Sequence, residues 1–230
     1  YGKFPQVLLF SDICPIGKKE NLRKFAVFET DHEGKKYILM VDKWYEVDKN
    51  FYDEITRRLS GIEEIETKGY LPIMPSGMNE GTYCSDVVPM TLPYACLDTN
   101  LFRGLSDSKV EVADLLTPNK DLICVKKYNK SSKPLSHLFN QAKVSARMFV
   151  RERDYRNFVS EQAITSGKIS DFSPDINRQE LRYVLAIAFE KEGKVVELLP
   201  FFSKITLLDT LDTLADLGFR VAVTRIPWEK

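Results

Sequence analysis

Cysteine is scarce and badly spaced for a metal. Cys14, Cys84, Cys96 and Cys124 include no Cys-x-x-Cys pair, and only two histidines could assist them. That spacing argues against a structural zinc site and against a disulfide scaffold, leaving free thiols in a reducing compartment as the expectation. Net charge is missing as well: 33 Lys plus Arg balance 33 Asp plus Glu. No global field therefore calls for nucleic acid or a membrane surface, and any electrostatic signal has to be local. No apolar run approaches the ~20 residues of a membrane-crossing helix, and no charged-then-apolar leader opens the chain. The expectation is a cytoplasmic protein with no membrane partner. Since the chain starts at Tyr1 rather than Met, it is also expected to be part of something longer.

What is present is ordinary globular material. The 230 residues, 43% hydrophobic and 29% charged, suffice for one large domain or two small ones. Residues 24–30 and 36–41 read as β-strands around a turn at 31–34, where Gly34 supplies positive φ. Residues 43–47 read as a third strand. A helix over 51–62 follows, capped within Asp48-Lys49-Asn50. The prolines and glycines of 70–77 suggest a linker, so the domain reading is an N-terminal antiparallel β segment with one helix at 1–77 and an α/β core at 78–230.

Within that core a short helix is expected from Asn79 to Val87, then strands at 93–97, 109–115 and 121–128. The turn Thr117-Pro118-Asn119-Lys120 makes the last two an antiparallel pair. Leu135, Leu138, Phe139, Ala142, Ala146 and Phe149 keep the 3.6-residue period of a long amphipathic helix. After a loop-rich stretch, 181–190 is apolar enough for a strand buried on both faces, 195–202 reads as another strand, 206–217 as a helix capped by Thr206, and 220–226 as a closing strand. The fold class is α/β (α+β), with a mixed central sheet flanked by helices.

Four residues of this layout could carry chemistry: Glu80 on the first core helix, Asp114 at the end of the middle strand, and Cys124 with Lys126 on the next. Strand alternation puts Cys124 and Lys126 on one face. The helix–three strands–helix order, with an acid on the helix, an acid on the hairpin and a lysine on the third strand, resembles the PD-(D/E)xK nuclease superfamily of restriction-endonuclease-like fold. The resemblance implies that Glu80 and Asp114 bind Mg²⁺ or Mn²⁺ and that Lys126 orients and activates the attacking water. The pattern departs at Cys124, which stands where the superfamily has a third acid and is a poor ligand for a hard cation. Glu111 is a substitute only if a bulge turns it to the same face.

A second resemblance covers nearly the whole chain. Lys43-Trp-Tyr-Glu-Val47, Glu111-Val-Ala-Asp-Leu-Leu-Thr117, Val125-Lys126, Leu135-Ser-His-Leu-Phe139 and Leu199-Pro-Phe-Phe-Ser-Lys204 look like a sporadically distributed bacterial protein family filed under a domain of unknown function, whose members are longer and often carry His at the place of Cys124. It implies a bacterial protein from phage-defence or mobile-element gene sets and supplies no reaction. The His also brings a phosphodiesterase with paired His-x-Lys motifs to mind, but this chain has neither that His nor a second motif.

One local charge signal is independent of both. From Cys124 to Arg156 nine basic residues face two acids, a stripe that suits a phosphate backbone. Lys127, Lys130, Ser131, Ser132, His137, Gln141, Arg147 and Arg151 are the candidate nucleic-acid contacts. The bland alternatives stand beside them: a strand-end lysine, a turn-forming Asp114, a first-turn Glu80, Cys124 as a small buried hydrophobe, a solvated helix face. The expected function is a metal-dependent nuclease-like hydrolase with a degenerate site. The alternative is an inactive nuclease-like module that binds nucleic acid or a partner protein; a further protein partner or an N-terminal portion is also expected among its partners.

Overall fold

The structure, a computed structural model, describes residues 28–40, 43–98, 100–103, 109–129 and 132–229, together with four two-residue strands between 6 and 21. The chain divides into two compact units, 1–57 and 58–230.

In the first unit β1 (Gln6–Val7) pairs with β4 (Glu20–Asn21), and β2 (Phe10–Ser11) with β3 (Cys14–Pro15). An antiparallel sheet follows, of β5 (Phe28–His32), β6 (Lys35–Met40) and β7 (Lys43–Glu46). Asp31 and His32, expected in the turn, continue the strand. The hairpin closes on Glu33 and Gly34 alone, both at positive φ (50° and 75°), the two-residue geometry that matches strand twist. Residues 24–27 of the expected first strand lie outside the described residues. Helix α1 (Lys49–Leu59) starts on Asp48, whose Oδ1 accepts from the Phe51 N–H at 3.0 Å, as a side-chain cap should.

The second unit is built on a six-stranded mixed sheet in the order β8 (Glu63–Ile65), β15 (Arg220–Pro227), β14 (Arg182–Phe189), β13 (Asp121–Lys127), β12 (Leu115–Leu116), β9 (Ala95–Cys96). β12 is antiparallel to both of its neighbours, whereas β13, β14, β15 and β8 run parallel. Residues 63–65, read with the N-terminal segment from sequence, thus form an edge of the main sheet. Parallel strands need crossovers. α4 (Ser132–Arg151) and α5 (Arg153–Thr165) connect β13 to β14, and α6 (Val195–Leu198) and α7 (Phe201–Asp216) connect β14 to β15. The burial of β14 from Tyr183 through Phe189 explains its unbroken apolar run.

The sheet face opposite α4 packs Ile123, Val125, Val184 and Ala222 against Leu71, Met74, Tyr83 and Val88. Those partners come from the irregular stretch 66–79 and from α2 (Glu80–Thr82), a π-turn (Tyr83–Val87) and α3 (Val88–Thr91). Asn79 caps α2 as expected, its Oδ1 accepting from the Thr82 N–H at 2.8 Å.

Three expectations are corrected. The strand over 109–115 is two: β11 (Lys109–Glu111), paired with β10 (Leu101–Arg103), and β12, with the chain turning between them at Val112 to Asp114. Residues 195–202 form no strand: 195–198 are α6, α7 begins at Phe201, and only Leu199 and Pro200 between them are extended. The Val195 N–H is capped by Glu64 Oε1 at 2.8 Å, a partner 131 residues away that no local reading supplies. Thr206 does not cap α7, which begins on Pro200. The hydroxyl of Thr206 instead donates to Phe202 O, one turn back, at 3.0 Å.

Candidate functional site

β12 covers only part of β13. The chain before it leaves the sheet at Asp114, so among the described residues the edge of β13 from Val125 to Lys127 has no strand beside it. Unpaired backbone N–H groups there need acceptors, and two side chains supply them. Asp114 Oδ2 accepts from the Val125 N–H at 2.6 Å, and Glu80 Oε1 accepts from the Lys127 N–H at 2.8 Å. Glu80 Oε2 also accepts from Lys126 Nζ at 2.5 Å. Glu80, Asp114 and Lys126, widely separated in sequence, therefore meet at one open strand edge.

Asp114 is fixed from both sides. Its carbonyl accepts from the Leu97 and Asp98 N–H groups at 2.8 and 3.2 Å, and its own N–H donates to Ile123 O at 2.9 Å. Burial pushes its carboxyl up to about 7, with Asp98 and Glu111 raising it further against the opposing pull of the Val125 N–H and Lys126. Cys124 follows Ile123, the residue that Leu115 faces across the ladder, and is fully buried. Burial, with Asp114 and Glu111 adding, pushes its thiol well above the ordinary cysteine value, so it is neither a thiolate nor a substitute acid. Glu111 ends β11, just before the turn, and interacts electrostatically with Asp114. Its carbonyl accepts from Tyr155 Oη at 3.4 Å, and that hydroxyl belongs to a buried chain through Ser145 Oγ (2.9 Å) to Tyr183 Oη (2.8 Å).

Asp98 is the residue that sequence reasoning missed. Its Oδ2 lies 3.0 Å from where a Cβ on Gly81 would stand, directly over α2, so a third carboxylate faces the region of Glu80 and Asp114. No motif contains it; the only available signal was an acid at the end of the strand expected at 93–97.

The donor set does not fit Mg²⁺ or Mn²⁺. Both oxygens of Glu80 already accept hydrogen bonds from the protein, and the position of the third acid holds a protonated thiol. Among the described residues, no three His, Cys, Asp or Glu side chains gather closely enough to hold a metal ion. Hard cations require several oxygen ligands together.

Several members of the basic stripe have partners. Lys127 Nζ stands 3.7 Å over the Trp228 ring and donates to Met78 O at 3.2 Å. Lys143 pairs with Asp209 at 2.7 Å and Arg153 with Asp175 at 3.4 Å, while Arg156 Nη1 donates to Phe149 O at 2.9 Å. Lys133, His137, Arg147 and Arg151 share the exposed side of α4. That helix contains no Asp or Glu in its 20 residues, so the charges on this face, at Lys133, Arg147 and Arg151, are all positive. Gln141 is half-buried on the flank that also carries Ser145, away from this face. Lys130 and Ser131 lie outside the described residues, as does the side chain of Ser132, the first residue of α4. Among the described residues no helix is long and apolar enough to cross a membrane.

Comparison with curated proteins and with solved structures returns no match. A family model does match, over residues 6–227, and the chain accordingly belongs to the family described as Family of unknown function (DUF6119).

Proposed function

We propose that this chain is a nuclease-like module that binds nucleic acid at its phosphodiester backbone. The observation that carries the reading is the meeting of Glu80, Asp114 and Lys126 at the open edge of β13, which the PD-(D/E)xK resemblance anticipates residue by residue. The strand order supports it: a helix, three strands with the middle one antiparallel, a helix and a further parallel strand is the core layout of restriction-endonuclease-like proteins. That support is by analogy of fold, and fold alone does not carry activity. The acid-free outer face of α4 supports nucleic acid as the ligand, since phosphate contacts are made by lysine and arginine in open solvent. A setting in bacterial phage defence or a mobile element belongs to the same reading.

Binding without cutting is the reading that the donor set favours, because the carboxylates are tied to backbone N–H groups and to Lys126. A second reading, metal-dependent hydrolysis, is favoured by one observation: Glu80 pairs with Lys126, and the buried Asp114 carboxyl feels the charges of both Lys126 and Asp98. In that reading Lys126 would have to release Glu80 for a Mg²⁺ or Mn²⁺ ion to enter.

Plasmid, single-stranded DNA and RNA incubated with Mn²⁺, using wild type, Lys126→Ala, Asp114→Ala and the double variant Arg147→Glu/Arg151→Glu, separate the readings. Salt-sensitive binding that the arginine variant weakens at least tenfold, with no cleavage, is the expected result. Cleavage that disappears in both Lys126→Ala and Asp114→Ala would replace the first reading by the second. Absence of binding to every nucleic acid would sink both.

A further inference from the structure

A cavity of about 230 Å³ opens at the carboxyl ends of β13 and β14, lined among the described residues by Tyr128, Phe189, Glu190, Lys191 and Leu198. Its floor is Phe189, buried at the end of β14. Tyr128 forms a wall; its backbone N–H donates to Ala188 O at 3.0 Å, which holds it in register beside Phe189. The two rings are tilted, with centroids 5.2 Å apart. Leu198, from the short helix α6, closes the opposite side, and the charged pair Glu190 and Lys191 forms the rim.

The position of this cavity matters as much as its lining. Side chains alternate along a strand, so Tyr128 projects from the same face of β13 as Lys126, two residues and therefore about 7 Å further on. An aromatic wall over an apolar floor, with one donor and one acceptor at the mouth and Lys126 two residues away along the same face, has the chemistry of a site for one flat heterocycle attached to a phosphate chain. The cavity is too small for a larger cofactor. Bases inside a duplex are stacked on both faces and cannot enter without being extruded.

We propose that this cavity receives one unstacked nucleobase of a single strand whose backbone runs past Lys126, which makes single-stranded nucleic acid the ligand class of the site. The proposal rests on the nucleic-acid reading above and narrows it. Tyr128 supplies the stacking surface and Phe189 the floor, while the rim charges address the polar edge of the base. Sequence specificity is not implied, because every base has a face to stack.

Fluorescence anisotropy on the full chain tests it with three labelled 20-nucleotide ligands: oligothymidine, an abasic strand of the same length and charge, and a duplex. Wild-type protein is expected to bind the base-bearing strand at least about fivefold more tightly than the abasic strand, and more tightly than the duplex. Tyr128→Ala should erase the preference for bases and Tyr128→Phe should keep it. Equal affinity of wild type for base-bearing and abasic strands would overturn the base pocket while leaving backbone binding intact. Tighter binding to duplex than to the base-bearing strand would also overturn it. Failure of all three ligands to bind would remove the nucleic-acid reading itself. The abasic comparison uses unaltered protein, so it holds even if Tyr128→Ala folds poorly.

Discussion

Strand β13 has an aspartate near each end, and the two are treated in opposite ways. At its beginning Asp121 is 1% exposed, yet every acceptor has a partner. Arg182 Nε and Nη2 donate to its two oxygens at 2.9 Å each, and Tyr70 Oη donates at 2.9 Å. Arg182 also pairs with Glu63 at 2.5 Å, tying β13, β14 and β8 together. At the other end Asp114 receives one backbone N–H and shares its surroundings with two further acids, and its carboxyl rises to about 7. The first arrangement is closed and holds strands in place. The second keeps a carboxylate uncomfortable next to a lysine, the condition that tends to mark functional positions rather than structural ones.

The largest test of this contrast is at the closed end. Asp121→Ala leaves a largely buried guanidinium with Glu63 alone and a partly buried phenol without its acceptor, and should lower stability by about 3–5 kcal/mol in urea denaturation. A loss below about 1 kcal/mol would mean that the network is ornamental and that the ends do not differ.

At the open end the sign reverses. Because the folded-state carboxyl of Asp114 titrates near 7, above its ordinary value of 3.8, the protein is most stable where the group is protonated in both states. Stability should fall as pH rises from about 4 through 7, as the unfolded chain gives up its proton first. Asp114→Asn, which keeps an acceptor for the Val125 N–H, should flatten that slope. At pH 8 the variant should be more stable than wild type by about 2 kcal/mol, less than the ~1.4 kcal/mol per pH unit of the full shift because the residue keeps some contact with solvent. Parallel denaturation curves for the two proteins across pH 4–8 would contradict the assignment.

The smallest effect is expected at the rim of the closed end. Glu63 is half exposed, so Glu63→Gln should change stability by less than about 1 kcal/mol and the melting temperature by about 2–4 °C at most. A larger drop would show that the network extends into solvent further than its burial suggests.

How much of this was legible follows from where each signal lay. β13, β14 and β15 were readable because burial on both faces leaves an apolar run that no helix period explains, and Thr117 to Lys120 announces the hairpin. Asn79 and Asp48 were readable as caps because their partners are three residues away. α6 was not, since Val195 and Val196 favour a strand locally and the cap from Glu64 is tertiary. α5 was not singled out either; its apolar positions, Tyr155, Val159 and Ala163, are interleaved with charge. Of the site, Glu80, Asp114 and Lys126 stood out through spacing. Asp98 belongs to no pattern, and neither Tyr128 nor Phe189 differs by type from any strand-end aromatic until the neighbouring strand is in place.

β8 carries a last consequence, one of timing. Its partner β15 lies at the far end of the unit, with Ile65 O accepting from a threonine 159 residues later, and Met74 closes against Pro227 and Glu229. Loops that long form slowly, and contacts of such separation come late. A ribosome delivers residues 63–79 well before anything exists for them to pair with. During that interval Leu71 and Met74 are uncovered apolar surface, and Glu64 cannot yet cap α6. Refolding of the whole unit should accordingly show its last protection from hydrogen exchange at β8 and at residues 71–74, after the central strands have already closed.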